Sequence, residues 1–260
     1  KHENALAEAE NFINKHPDSD RNAEVMFLMG KSHISLNDAE KAAQIFDQLR
    51  KKYPNSKYAA QGILELGLME KEQMNDPDKA DSLLKVVQDE FKGTNEAAQA
   101  GYERAWINVV KGDTVKAMEI WARVGEDYEG TEYADQSIYK IAMTYRLKKE
   151  YDSARAKFAY LAGRFDNVLL AAEAQYRIGE SYMREENWER AVETFVVARE
   201  KFAGYDDWYS LSLMNLGEAY ERREEYMQAL EVYETLETLR PDDDFGKTAK
   251  ARIRNLKKKF

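Results

Sequence analysis

Little in this chain is equipped for catalysis. It has three histidines, no cysteine, and 48 acidic against 39 basic residues, for a formal charge of −9. A histidine works as acid, base or metal ligand only beside a partner at matched spacing. His2, His16 and His33 stand apart, and none lies in a motif. His16 precedes Pro17 and reads as a surface residue at a helix end, while His33 reads as a half-buried packing residue. Paired carboxylates occur at Glu185-Glu186 and Glu224-Glu225, but with 33% charged residues they read as solvated turn positions. Without thiols there is no disulfide, thiolate nucleophile or zinc–thiolate site. No glycine loop is built to cradle a phosphate. The expectation is a protein that is not an enzyme and holds no cofactor and no metal. Its negative charge argues against nonspecific nucleic-acid binding. No apolar run is long enough to span a bilayer.

What remains is recognition by apolar side chains, and these need a scaffold of fixed register. Ala5, Ala42, Ala80, Ala117, Ala154, Ala191 and Ala229 recur at intervals of 37 or 38 residues. Four residues after them come Phe46, Leu84, Trp121, Phe158, Phe195 and Tyr233, with Ala9 in the first copy. A second register runs in phase, with small residues Gly30, Gly67, Ala105, Ala142, Gly179 and Gly217. An apolar residue usually precedes each small one, and Arg104 breaks that rule. Two helices per unit account for both registers. The small residue lets the first helix approach its partner closely, and the large one fills space between successive hairpins. Polar turns such as Leu36-Asn37-Asp38, Lys111-Gly112-Asp113 and Met74-Asn75-Asp76-Pro77 supply caps between the helices. Pro17, Pro54 and Pro241 fall where each second helix must stop.

A fixed period of this length predicts an all-α, right-handed α-solenoid of stacked helical hairpins. The expected organisation is one solenoid over residues 1–260. It opens with a half-repeat at 1–17 and ends with a capping helix at 243–260. Six hairpins fall at about 20–54, 57–92, 95–130, 132–166, 169–204 and 207–241. The cap carries Phe245, Ala249, Ile253, Leu256 and Phe260 on one face and Lys247, Lys250, Arg252, Arg254 and Lys257 to Lys259 on the other. The chain begins Lys1-His2-Glu3 on a lone second helix, which reads as a piece of a longer repeat protein, with any signal peptide or lipid anchor upstream; the alternative is a degenerate N-terminal cap.

The stretch Ser210–Pro241, with Leu216, Gly217, Tyr220, Ala229, Tyr233 and Pro241 in phase, resembles the tetratricopeptide repeat. The resemblance covers essentially the whole chain. The period is longer than usual, and the added length falls at the end of the second helix, where Tyr53, Phe91, Tyr128, Phe165 and Phe202 add an apolar turn. This long form, with segments such as Lys52-Tyr53-Pro54-Asn55-Ser56-Lys57-Tyr58-Ala59, is similar to tetratricopeptide domains of bacterial cell-envelope proteins, of the barrel-assembly lipoprotein and periplasmic division-coordinator type. The resemblance implies a periplasmic or envelope location in a Gram-negative bacterium, with the cytoplasm as the alternative. It also implies a noncatalytic scaffold that binds a partner segment along a concave groove of first helices.

Three positions per first helix should face that groove. Three residues before the small one they are Phe27, Leu64, Tyr102, Tyr139, Tyr176 and Met214. One residue after it they are Lys31, Leu68, Trp106, Met143, Glu180 and Glu218. A turn further on stand Ile34, Lys71, Val109, Arg146, Met183 and Glu221. The candidate partner site is therefore Phe27, Leu64, Leu68, Tyr102, Trp106, Tyr139, Met143, Tyr176, Met183 and Met214, with an acidic end at Glu180, Glu218 and Glu221. The aromatic row also admits a simpler role, packing between helices. The family's best-known grip is a clamp of lysines and asparagines on a C-terminal carboxylate. With Lys31, Lys71 and Arg146 scattered among apolar and acidic groups, such a ligand is not expected here. The expected partner is a protein or peptide segment with apolar anchors. Nucleic acid is not expected, and a membrane only through an upstream anchor. The chain reads as a monomer or weak homo-oligomer. Two alternatives are an oligomerisation module and a noncatalytic arm of a larger secretion or assembly component or enzyme.

Overall fold

A computed structural model describes residues 2–73, 76–164, 167–204 and 206–259. Met74, Asn75, Phe165 and Phe260, which the sequence places in a turn, at the end of a second helix and in the cap, lie outside the described residues. The described chain forms fourteen α-helices and no strands. They are α1 (His2–Lys15), α2 (Asn22–Ser35), α3 (Ala39–Lys52), α4 (Lys57–Gln73), α5 (Pro77–Glu90), α6 (Asn95–Val110) and α7 (Thr114–Asp127). Then follow α8 (Glu132–Leu147), α9 (Tyr151–Ala162), α10 (Val168–Arg184), α11 (Trp188–Lys201), α12 (Asp206–Arg222), α13 (Tyr226–Leu239) and α14 (Asp244–Leu256). Within Lys1–Ser137 and within Ile138–Phe260, two compact units, consecutive helices pack serially, as in an all-α solenoid.

The alanine register forms the spine of each unit. In the first, Ala42, Phe46 and Leu49 of α3 are fully buried, as are Ala80, Leu84 and Val87 of α5 and Ala117 and Val124 of α7, with Trp121 only 2% exposed. In the second unit the same stripe is Ala154, Phe158 and Leu161, then Ala191 and Phe195, then Ala229, Tyr233 and Leu236. Spacing of four and then three residues places each trio on one helix face. The small residues face the large ones of their own hairpin. A Cβ on Gly30 would fall 2.2 Å from the Phe46 ring, one on Gly179 2.5 Å from Phe195, and one on Gly217 2.5 Å from Tyr233. Phe46 also presses on Gly62 of the next first helix, where an added Cβ would lie 2.4 Å away. The large residue thus fills both its own hairpin and the junction to the next.

Asp38, Asp113 and Asn187 cap α3, α7 and α11 by accepting from the third backbone N–H beyond them, and Asp76 caps α5 ahead of Pro77. The end-of-helix aromatics do not extend the second helices. Tyr53, Phe91, Tyr128 and Phe202 are their C-caps, each N–H donating to the carbonyl four residues back. At Arg104 the expected apolar contact is replaced by a fork. Its guanidinium donates to both oxygens of Asp81 at 3.0 and 3.3 Å and to Gln88 at 2.6 Å.

Between first and second helix the chain passes through the left-handed region. Gly112 takes it at φ 84°, but Asn37, Lys149, Glu186 and Glu224 take it at 57–62° with a side chain attached. An L-residue there costs roughly 1–2 kcal/mol, partly offset by the entropy a glycine would lose. Glu186→Gly is therefore expected to raise stability by up to about 1 kcal/mol. Urea denaturation reads this directly, and a loss of stability would mean that the Glu186 side chain contributes more than the backbone strain removes.

In α14, Ala249, Ile253 and Leu256 are buried in one cluster with Leu236 of α13. The basic face is largely matched. Lys257 lies 3.1 Å from Glu234, Lys250 3.6 Å from Glu237 and Arg252 3.3 Å from Glu221, and the Lys259 ammonium sits 4.1 Å from the Tyr226 ring centre. The lysines of this helix answer the acidic face of the hairpin beneath.

Candidate functional site

In the first unit Phe27 stacks on Phe46 of its own hairpin and on Tyr58 at the start of α4, with ring centres 6.1 and 5.6 Å apart. Leu64 is 5% exposed and belongs to the core, not to an open groove, and Leu68 packs half-buried against the same cluster. In α6, Tyr102 and Trp106 both turn onto Trp121, at 6.5 and 5.6 Å, with Trp106 edge-on at 84°. Tyr102 also stacks at 5.9 Å on Tyr133, in the first turn of α8. Burial raises the Tyr102 pKa, and the nearby Trp106 indole works against that rise. Burial also raises Tyr133, with added push from Glu132, Glu103 and Glu96.

One side of this aromatic group is open. Tyr102, Trp106, Ile107 and Val110 of α6, with Lys71 of α4 and Pro77 of α5, line a depression of about 350 Å³. Glu103 joins them at the rim and pairs with Lys71. Val110, at the edge, is 61% exposed.

In the second unit Tyr139 meets Phe158 edge-on at 5.9 Å and donates 2.6 Å to Glu173. Burial and then that bond push its pKa up to about 12. Met143 packs half-buried in the same small cluster. Tyr176, 8% exposed, is core. It lies between Phe195 and Trp208 and accepts from Asn215 at 3.2 Å. Met183 and Met214 are half-buried beside that cluster. In both units the ring three residues before the small one turns inward, onto the large side chain of the second helix, so this row packs helices together.

The charged groups on the first helices are tied to one another. Lys31 pairs with Glu65 at 3.1 Å, Lys71 with Glu103, and Arg146 with Glu180 at 2.8 Å, each reaching the next first helix. Glu180 also accepts from Arg184 at 2.9 Å and Arg177 at 3.1 Å. Burial works to raise its pKa, but hydrogen bonds from Arg146, Arg184 and Arg177 outweigh it and hold the group below the usual glutamate value. Glu221 accepts from Tyr233 at 2.8 Å and Arg252 at 3.3 Å. Glu218 lies 3.8 Å from Arg222 of its own helix, so each of the three carboxylates of the expected acidic end has a counter-charge within the chain. Among the described residues no group of three or more His, Asp or Glu could hold a metal ion. None of their helices is long and apolar enough to cross a membrane.

Sequence profiles of the tetratricopeptide repeat match residues 24–56, 139–207 and 212–245, about half the chain together. The chain belongs to the tetratricopeptide-repeat family. No curated protein sequence matches it. Among solved structures, the C-terminal part of a tetratricopeptide-repeat protein from Cytophaga hutchinsonii aligns over 95% of this chain and 96% of its own, at 14% identity and a TM-score of 0.62. YrrB, described as a tetratricopeptide-repeat protein with an unusual peptide-binding site, aligns over 79% and 97%, at 17% identity and 0.51. PilW, a widely conserved type IV pilus biogenesis factor, aligns over 88% and 99%, at 11% and 0.50. At these identities the likeness is one of fold. The tetratricopeptide repeat is a protein-interaction fold, and this chain presents its repeats accordingly.

Register alone does not reveal Tyr133, Glu103, Pro77 or Val110 as part of the surface. A signal for the first was present. Tyr58, Tyr133 and Trp208 are spaced by 75 residues, two repeats, and each stacks on the aromatic of the preceding hairpin.

Proposed function

We propose that this tetratricopeptide-repeat chain is a noncatalytic scaffold that holds a segment of a partner protein on its first-helix face. The anchor point is the depression at Tyr102 and Trp106. The observation that carries this reading is the depression itself, apolar, floored by rings and large enough for one bulky side chain. Sites of that kind usually supply most of the energy of a protein contact. Phe27, Leu68, Tyr139, Met143, Met183 and Met214 are half-buried and form the wider candidate surface. The compartment we propose is a bacterial cell envelope. Support comes from the repeat length of 37 to 38 residues and the Lys52–Ala59 linker type.

Val110 offers a direct test, since it is exposed at the rim. A photo-reactive phenylalanine placed there is expected to cross-link a discrete partner in cells of the source organism, and Trp106→Ser is expected to abolish that adduct. An adduct that forms equally well with Trp106→Ser would remove the depression as the anchor.

A further inference from the structure

Three aromatic seams recur along the chain, one at every second hairpin. They are Phe27, Phe46 and Tyr58, then Tyr102, Trp121 and Tyr133, then Tyr176, Phe195 and Trp208. In the outer two the chain supplies its own cation. Lys31 lies 5.6 Å from the Phe27 ring centre and Lys57 5.1 Å from Tyr58. Arg177 lies 5.5 Å from Tyr176 and 5.2 Å from Trp208, while bonding Glu173 and Glu180. The residue two before the small one is Arg177 in that seam and Glu103 in the middle seam. Among the described residues no lysine or arginine lies over Tyr102 or Tyr133. Glu132, Glu103 and Glu96 are instead near enough to the Tyr133 hydroxyl to add to the rise that burial gives its pKa. Glu103 is paired with Lys71, but the side-chain partners of Glu96 and Glu132 are the neutral amides of Gln61 and Gln136, at 3.0 and 2.8 Å. A cation over an aromatic face, flanked by carboxylates, is an attractive arrangement, stronger for arginine than for a neutral group.

We infer that the middle seam takes its cation from the partner. A segment would seat an apolar side chain in the depression beside Trp106 and lay an arginine or lysine over Tyr102 and Tyr133, within reach of Glu96 and Glu132. The inference rests on the proposed anchor and adds a charge requirement to it. Arg177 shows the geometry within this same chain, as a guanidinium held over two rings by two glutamates.

The test uses short Gly/Ser peptides carrying one leucine or tryptophan and one arginine at every spacing up to two helical turns, each with a citrulline twin of equal shape and no charge. A subset is expected to bind, with the citrulline twins at least about fivefold weaker. Trp106→Ser should remove binding of both twins. Glu103→Arg, which supplies the cation in cis as Arg177 does, should erase the preference for arginine while apolar binding persists. The conservative pair Glu96→Gln and Glu132→Gln checks the same point without adding a charge. Equal binding of the twins, with Trp106→Ser still defective, would sink the cation site and leave the anchor standing. If no peptide binds, or Trp106→Ser binds as wild type does, the anchor falls and the cation site with it.

Discussion

Gly246→Ala is expected to dislodge the capping helix and lower the stability of the C-terminal unit by about 3 kcal/mol or more. Gly246 lies in the first turn of α14, where a Cβ would fall 1.7 Å from the carbonyl oxygen of Arg240 and 2.7 Å from its carbon. Backbone has no rotamer with which to yield, and the same turn is held from its other side. Asp243 accepts from the N–H groups of Phe245 and Gly246, and Arg240 stacks on Phe245. Relief must come from moving α14, which would pull Ala249, Ile253 and Leu256 off the last hairpin. An uncovered terminal repeat exposes a face built to be buried. The sign discriminates between mechanisms. Helix propensity alone favours alanine by about 1 kcal/mol, so a stabilised mutant would mean the turn can relax. Urea denaturation and binding of an apolar dye check it. Gly204→Ala is a suitable control, because nothing lies within 4 Å of an added Cβ there and only its φ of 96° opposes the change.

The same close approaches explain why the fold was legible in the sequence. At Gly30, Gly179 and Gly217 any side chain would overlap an aromatic ring, so the small residue and its partner sixteen positions on are fixed together. That constraint repeats with the period and shows through every other variation. The proposed binding face carries no such constraint. Tyr176 and Met214 occupy the same phase, yet one is core and the other half-buried, because the direction of a side chain depends on what the neighbouring hairpin offers it. Tyr176 meets both Phe195 and Trp208. The charges of the groove were misread for a related reason. Arg146 and Glu180 stand 34 residues apart, a repeat minus one turn, and only the stacking of first helices brings them to 2.8 Å. A list of groove positions taken one helix at a time counts each as a free charge.

Replacing both Trp106 and Met143 by serine is expected to weaken partner binding at least tenfold while leaving helicity nearly unchanged. Both occupy the position after the small residue, where this register otherwise carries lysine, glutamate and leucine. The structure refines what the two changes cost. Trp106 is half-buried and edge-on to Trp121, so its loss uncovers part of that ring and should cost about 1–2 kcal/mol of stability. Met143 packs half-buried against a cluster that includes Ala154, Phe158 and Leu161, and its loss should cost about 1 kcal/mol. Both lie at the margin of the alanine spine, against Trp121 and the Phe158 cluster, and neither belongs to it, so the circular dichroism spectrum should hold and the melting temperature should fall only by a few degrees. Titration against the partner recovered through the Val110 adduct gives the binding effect. The single mutants divide it, since Trp106 lines the depression and Met143 lies in the other unit. A loss confined to Trp106→Ser would make the depression the whole anchor. A comparable loss from each would mean the partner spans both units. Retained affinity in a folded double mutant would move the interaction off the first-helix face, and the second-helix surfaces would then be the place to look. Global unfolding would instead make both side chains core, and the anchor would lose its chief support.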